Sequence, residues 1–183
     1  MKLTVHKREK ATKRGALRIR RTGNVPGVLY VRGEESKEIT IDGVELHALL
    51  RKIPKGRLST TEFKLVCDNK EVKAIVKEMQ RHPVTYDIMH MDFMELRDTV
   101  RVRIPIECIG VNDCQGIKLG GFLRPILRYV RIECSAKAIP SAFSIDVRDL
   151  NIGGCKRLSD IAMPEGVRCL DTLSEVAVVI AKR

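Results

Sequence analysis

Residues 13–30 read KRGALRIRRTGNVPGVLY, and the rest of the chain is organised around them. Five cations fall within the first nine of these residues, and an apolar strand ending at Tyr30 follows across a Gly-Asn-Val-Pro-Gly turn. Gly15 to Arg21 suits a short helix, which Gly23 ends because glycine adopts the left-handed backbone at little cost. Three arginines then share one helix face: Arg14, Arg18 and Arg21. This pattern predicts a clamp for a polyanion such as RNA.

The first 96 residues combine short strands with little helix. Alternating or β-branched runs predict strands at Leu3–Lys7, Val25–Val31, Lys37–Ile41, Glu62–Asp68, Glu71–Arg81 and Met89–Phe93. Asp42 is placed to cap a helix with one apolar face that runs to Ile53, where Pro54 and Gly56 stop it. Several strands and one substantial helix in a segment of this length predict a small α+β barrel.

Beyond a linker at 96–99 the chain becomes β-rich, with no convincing long helix. Strands are predicted at 100–108, 123–134, 144–147 and 176–180, and a glycine-rich loop is predicted at 110–121. We therefore expect a mainly β (α+β) protein with two domains. Residues 1–96 form a small β-barrel with short helices, and residues 97–183 form an all-β domain.

The net charge of +11 is concentrated at one end of the chain. Residues 1–33 hold ten Lys and Arg against one acid, and residues 34–96 hold ten against twelve. Residues 97–183 hold fourteen against ten. A local excess of this kind is typical of a binding face for a polyanion. A membrane surface fits less well, because the basic segment carries few large apolar side chains to insert.

Several classes of protein are disfavoured. No apolar run is long enough to span a membrane, and the N-terminus becomes charged too early for a signal peptide, so we expect a cytoplasmic protein. The six cysteines form no C-x-x-C pair and have no histidine at zinc-ligand spacing, which predicts reduced thiols and no metal site. No phosphate-loop motif accompanies Gly120 and Gly121, and no cofactor or small-molecule substrate is expected.

Two histidines and two aspartates raise a catalytic alternative. His82 and His90, with Asp87 and Asp92 nearby, resemble parts of some nuclease or metal sites. Neither a glycine-rich nucleophile turn nor an H-E-x-x-H motif accompanies them. Histidines flanking a proline turn more often donate hydrogen bonds or contact RNA, so we expect no enzymatic activity and no catalytic residues.

Three motifs together identify a family resemblance. They are residues 18–30 (RIRRTGNVPGVLY), 80–83 (QRHP) and 90–93 (HMDF). In this order and spacing they resemble the N-terminal domain of the bacterial large-subunit ribosomal protein L25 family. The remainder resembles the extra β-domain of the long form of that family, the CTC or general-stress-protein type. Its marks are residues 110–111, 116–121, 139–140, 146–147, 150–153 and 163–167.

The resemblance implies a β-barrel that binds 5S rRNA in the central protuberance of the large ribosomal subunit, beside its proteins and rRNA. It implies RNA contacts from Arg8, Lys13, Arg18, Arg20, Arg21, Tyr30, Gln80, Arg81, His82 and His90. Arg14 is a further candidate, because it lies in the same basic segment and its charge can neutralise a phosphate. The chain departs from the family pattern at four positions: Thr12, Arg14, Leu17 and Val31. Two alternatives stay open, an RNA-binding stress regulator that acts off the ribosome and an RNA hydrolase using His82 and His90.

Overall fold

The computed structural model describes residues 1–8, 12–30, 35–67 and 70–182. The chain divides into two compact units, Met1–Asp98 and Thr99–Arg183. Among its described residues the first contains six strands: β1 Lys2–Lys7, β2 Val25–Tyr30, β3 Lys37–Ile41, β4 Glu62–Cys67, β5 Lys70–Arg81 and β6 Ile88–Glu95. It also contains helices α1 Lys13–Arg21 and α2 Gly43–Leu50, and a 3-10 turn at Leu58–Thr60. The predicted end of the second strand at Val31 falls outside the described residues.

The six strands close into a barrel in the order β1-β3-β2-β6-β5-β4. Two of the joins are parallel, β1 with β4 and β2 with β6. Alternate residues of the strands point inward and build the core, in which Phe63 and Phe93 pack edge to face with their ring centres 5.8 Å apart. Gly27 is required in β2, because a Cβ there would lie 2.7 Å from the Met91 carbonyl oxygen of the neighbouring strand.

Both ends of α1 are capped by the residues that its sequence provides. The Thr12 hydroxyl accepts a hydrogen bond from the Gly15 amide at 3.1 Å. At the other end the Gly23 amide donates to the Arg20 carbonyl and the Asn24 amide to the Ile19 carbonyl. This pair of bonds, with Gly23 at a φ of +80°, is a Schellman motif. The predicted helix end is confirmed.

Helix α2 is shorter than predicted. Asp42 caps it as expected, since its carboxylate accepts from the amides of Val44 and Glu45. The helix ends at Leu50, and Ile53 is reached through a tighter turn in which its amide donates to the Leu50 carbonyl. Val44 is 81% exposed and does not belong to the apolar face.

The second unit holds seven strands among its described residues: β7 Thr99–Ile109, β8 Phe122–Pro125, β9 Tyr129–Ser135, β10 Phe143–Asp146, β11 Cys155–Arg157, β12 Arg168–Cys169 and β13 Val176–Ala181. One sheet has the order β10-β7-β9-β12 and the other β11-β13-β8. A mostly β protein with a closed barrel, further sheets and few short helices confirms the predicted fold class.

Two predictions for the second unit are wrong. The predicted loop at 110–121 contains a 3-10 turn at Val111–Asp113 and a short helix, α3, at Gln115–Lys118. The single long strand predicted at 123–134 is two strands in different sheets, because the chain turns between Pro125 and Tyr129. No helix among the described residues is both long and apolar enough to cross a membrane.

Candidate nucleic-acid interface

Helix α1 separates its basic side chains into two groups. Lys13, Arg14, Arg18 and Arg21 are exposed to solvent. Ala16, Ile19 and Arg20 are half-buried and form the side that faces the protein. Because residues two apart lie on different helix faces, Arg18 and Arg20 have different surroundings despite their proximity in sequence. The cations in the last turn also face the negative end of the helix dipole, which favours them there.

Arg20 joins α1 to the barrel. Its Nε–H donates a hydrogen bond of 3.0 Å to the carbonyl oxygen of Met89, at the start of β6. Hydrogen bonds from a charged donor are stronger than neutral ones, and this one is half-buried. The contact therefore fixes the basic helix against the segment that carries His82 and His90.

His82 closes the turn between β5 and β6 with both its backbone and its ring. Its Nδ1 accepts from the amides of Val84 and Thr85, at 3.3 and 3.2 Å. Its own amide donates to the Asp87 carbonyl at 2.8 Å. An Nδ1 that accepts places the ring proton on Nε2. Nε2–H is then a rigidly held donor that no protein group in the described residues uses.

His90, Asp92 and Tyr30 form a second polar group on the outside of the barrel. Nδ1 of His90 lies 2.7 Å from Oδ1 of Asp92, and this oxygen is buried with no other partner among the described residues. Two acceptors do not approach so closely, so Nδ1 carries a hydrogen and donates it to the carboxylate. The Tyr30 hydroxyl reaches the other oxygen, Oδ2, at 3.4 Å. Asp92 thereby orients both rings.

The Tyr30 phenol stays protonated over a wide pH range. Burial is the main cause that raises its pKa, and the negative charge of Asp92 and the hydrogen bond to it raise it further. The Lys77 ammonium lies 5.4 Å from the centre of the Tyr30 ring. The hydroxyl is therefore a donor at neutral pH, on a ring already in contact with a cation.

The strand register places these groups on one outer face. Gln80 lies directly opposite His90, and Val28 lies between Asp92 on one side and Glu38 on the other. Residues paired in this way point to the same side of a sheet. The Arg8 amide donates to the Glu38 carbonyl, which extends that row to the end of β1.

Arg8 is less accessible than the cations of α1. Its side chain is only 12% exposed, and its Nε lies 3.6 Å from Oε2 of Glu38, too far for a hydrogen bond. Neither atom has a hydrogen-bond partner among the described residues. Arg81 is exposed, and its guanidinium makes a weak 3.9 Å contact with the Met79 sulfur. The predicted site residues thus divide between α1, the β5–β6 turn and the outer face beside them.

A cleft of about 430 Å³ lies where α1 meets the β5–β6 turn. Arg20 and His82 line it, together with Asp87 and with His47 from α2. His47 could not be predicted from the sequence, since a histidine in an amphipathic helix carries no motif. Asp92 has a sequence signal only as part of the catalytic alternative, and its role in orienting His90 and Tyr30 is visible only in the fold. No group of three metal-ligating side chains occurs in the described ranges.

Comparison with known proteins identifies the family, and the two matching family models cover both units of the chain. The family model described as Ribosomal L25p family matches residues 3–93, and the one described as Ribosomal protein TL5, C-terminal domain, matches residues 99–183. The chain belongs to the ribosomal L25p family. Among its relatives are the proteins named large ribosomal subunit protein bL25 of Chlamydia trachomatis serovar D, 42% identical over 185 residues, and of Chlamydia pneumoniae, 38% identical. Each comparison covers all of both chains.

The departures from the L25p pattern can now be placed. Thr12 is the cap of α1, and its hydroxyl stabilises the start of the helix. Arg14 and Leu17 are exposed on α1, where neither disturbs the packing against the barrel. Val31 lies outside the described residues. In this L25p chain, therefore, Arg14 is one of the exposed cations of α1 and Thr12 caps the helix N-terminus.

Proposed function

We propose that this L25p chain is a constituent of the large ribosomal subunit that binds 5S rRNA in the central protuberance. The observation that carries the proposal is the hydrogen bond from Arg20 to the Met89 carbonyl, which holds the exposed cations of α1 beside the β5–β6 turn. A polyanion thus meets a preorganised composite surface. Membership of the L25p family and the name of its Chlamydia relatives support the ribosomal assignment.

The groups of this surface have distinct roles. Lys13, Arg14 and Arg21 neutralise phosphates, because their exposed side chains have no fixed direction toward a base. Arg18 is exposed in the last turn of α1 and is suited to a bidentate contact with a base edge.

The side chains off the helix are semi-rigid donors for phosphate or ribose hydroxyl groups. Nε2–H of His82 is the clearest case. The Tyr30 hydroxyl donates its hydrogen to Asp92, so its oxygen is left to accept from a ribose hydroxyl. Gln80 lies exposed opposite His90, and both face the same RNA surface. The Arg8 side chain is mostly buried, so it contributes positive charge near the RNA surface rather than a direct contact.

A gel shift with 5S rRNA tests the binding site. Arg18→Ala should weaken binding by about 1–3 kcal/mol, and Lys13→Ala should cost less while reducing the slope of log affinity against log salt by about one unit. Lys64→Ala is the matched control, since Lys64 is an exposed cation on β4. Equal affinity for all four proteins would place the site elsewhere.

The domain organisation needs its own test. We infer that residues 1–96 carry the 5S rRNA site and that residues 97–183 are a separate β-rich domain. A gel shift that compares the 1–96 fragment with the full chain should give similar affinities. A fragment that folds but does not bind would show that the second domain contributes contacts.

Sedimentation of a cell extract distinguishes the ribosomal role from a free stress regulator. The chain should migrate with large subunits, in the cytoplasm. A pool found entirely at the top of the gradient would contradict the proposal. Bound RNA should also remain intact with divalent metal present, and cleavage lost in His90→Ala would instead support the hydrolase alternative.

A further inference from the structure

Tyr86 stands out in the β5–β6 turn. It is 71% exposed, and its φ of +61° is the only positive value of a non-glycine residue in the described ranges. The left-handed region is unfavourable for a bulky L-residue, and a large exposed ring gains nothing from the core. The fold therefore holds an aromatic side chain in a strained position that contributes no burial.

The turn that carries Tyr86 is rigid. The Tyr86 amide donates to the His82 carbonyl at 3.0 Å, and the His82 amide donates to the Asp87 carbonyl at 2.8 Å. The His82 ring accepts from two further amides inside the turn. Ordering a side chain on such a turn costs less entropy on binding than ordering one on a flexible loop.

The ring of Tyr86 is open, in contrast to that of Tyr30. Lys77 lies over the Tyr30 ring and Asp92 accepts from its hydroxyl. Within the described part of the chain no ring or cation contact covers Tyr86. A free π-face is what an unpaired nucleobase requires for stacking.

The position of Tyr86 connects it with the basic surface. Its neighbours in the chain, Thr85 and Asp87, line the same cleft as Arg20. Arg20 in turn belongs to α1, whose other cations are exposed. An exposed aromatic ring on a turn that shares a cleft with a basic helix combines the stacking face and the positive charge that bind unpaired segments of RNA.

We propose that Tyr86 is a stacking platform for an unpaired base of the RNA held by α1. This inference rests on the proposed function and specifies how the bound RNA differs from a plain duplex. The phosphate contacts of α1 position the strand, and the Tyr86 ring receives a base that has left the helical stack. The left-handed backbone of Tyr86 turns the ring outward for this contact.

Fluorescence of a Tyr86→Trp variant tests the contact directly, because the chain contains no tryptophan. Stacking on a base should quench its emission when 5S rRNA is added to saturation. Lys64→Trp, at an exposed position of β4, is the control and should keep its emission. Unchanged emission from Tyr86→Trp with the RNA bound would overturn the inference.

The 5S rRNA affinities of Tyr86 variants distinguish base stacking from other contributions of this side chain to binding. Tyr86→Phe should bind as the natural chain does, whereas Tyr86→Gly and Tyr86→Leu should bind about 5- to 100-fold more weakly. Tyr86→Gly also removes the backbone strain, so strain cannot be the cause of weaker binding by that variant. Val84→Ala is the control within the turn, since Val84 is 77% exposed but offers no ring.

The outcomes are distinguishable from failure of the proposed function. If the natural chain does not bind 5S rRNA, the proposed function fails. If it binds and Tyr86→Gly binds equally well, only the stacking inference fails. Equal binding by Tyr86→Leu and Tyr86→Phe would mean an apolar contact and would also overturn stacking. With a fully paired RNA duplex as the probe, all Tyr86 variants should bind alike.

Discussion

Gly43 is the position where one methyl group should disturb the candidate interface without touching any charge. It is the first residue of α2, is buried, and packs against the Schellman turn that ends α1. A Cβ built on Gly43 would overlap the Gly23 carbonyl oxygen and lie 3.2 Å from the Gly23 carbonyl carbon. Both are backbone atoms held by helix-capping bonds, so neither helix can yield cheaply.

The expected loss follows from two opposing terms. Overpacking a well-packed site costs about 1–3 kcal/mol. Replacing glycine by alanine in a helix returns at most about 0.5–1 kcal/mol. The difference is a loss of up to about 2.5 kcal/mol, and Gly43→Ala should fall in the upper half of that range because its Cβ would overlap a backbone atom. Each kcal/mol lost lowers the melting temperature of a unit of this size by about 4–8 °C.

Hydrogen-exchange mass spectrometry on the full chain measures this effect on the barrel alone. Peptides from β2 and β6 should exchange faster in Gly43→Ala. Gly15→Ala is the matched control, because a Cβ there meets only the Thr12 hydroxyl at 3.1 Å, and protection should be unchanged or higher. Equal exchange in Gly43→Ala and the natural chain would refute the packing argument, since the two helix ends would then have room to separate.

Three further predictions concern single side chains. His82→Asn should keep the turn protected from hydrogen exchange, because its side-chain amide oxygen replaces Nδ1 as the acceptor. The same variant should bind 5S rRNA more weakly, because Nε2–H is lost. His82→Ala should lose the protection of the turn as well as the affinity for RNA. Asp92→Asn should lower the pKa of Tyr30 toward its ordinary value of 10.0 without reaching it, since burial remains, as NMR of ring-labelled tyrosine would show. Because the raised pKa favours the protonated phenol, its contribution to stability is present below about pH 10 and is lost as the pH rises through the pKa of the folded state. Burial also raises the pKa of the Cys134 thiol, so iodoacetamide at mildly alkaline pH should modify exposed Cys155 first.

The local elements of the fold could be predicted from the sequence, and the long-range pairings could not. Gly23 and Asp42 fix helix ends through backbone geometry and capping, which act within a few residues. The closing contacts join β1 to β4 and β2 to β6, strands about 60 residues apart, and no local pattern encodes such pairings. The break after Pro125 was missed because apolar alternation continues on both sides of it.

In the candidate site, too, the local features could be predicted from the sequence and the long-range contacts could not. Charge and spacing predict the basic helix and the shared face of Arg14, Arg18 and Arg21, whereas the Met89 carbonyl that binds Arg20 is visible only in the fold. His82 was selected as a donor for RNA, and its second role as the acceptor that closes a turn depends on two amides that follow it. Tyr86 was not selected at all, because its exposure and backbone conformation have no signature in the sequence.

These contacts explain how a helix with no buried residue is held in one place. Its exposed cations repel each other and attract phosphate, but such forces are long-ranged and screened by salt, so they do not define a position. Position is set by short-range contacts: the Gly23 turn against Gly43, and one guanidinium hydrogen bond to the Met89 carbonyl. Met89, which accepts this bond, lies at the start of β6, directly after the turn that carries His82 and Tyr86. Affinity and geometry therefore come from different residues, and a substitution that leaves every charge in place can still alter the interface.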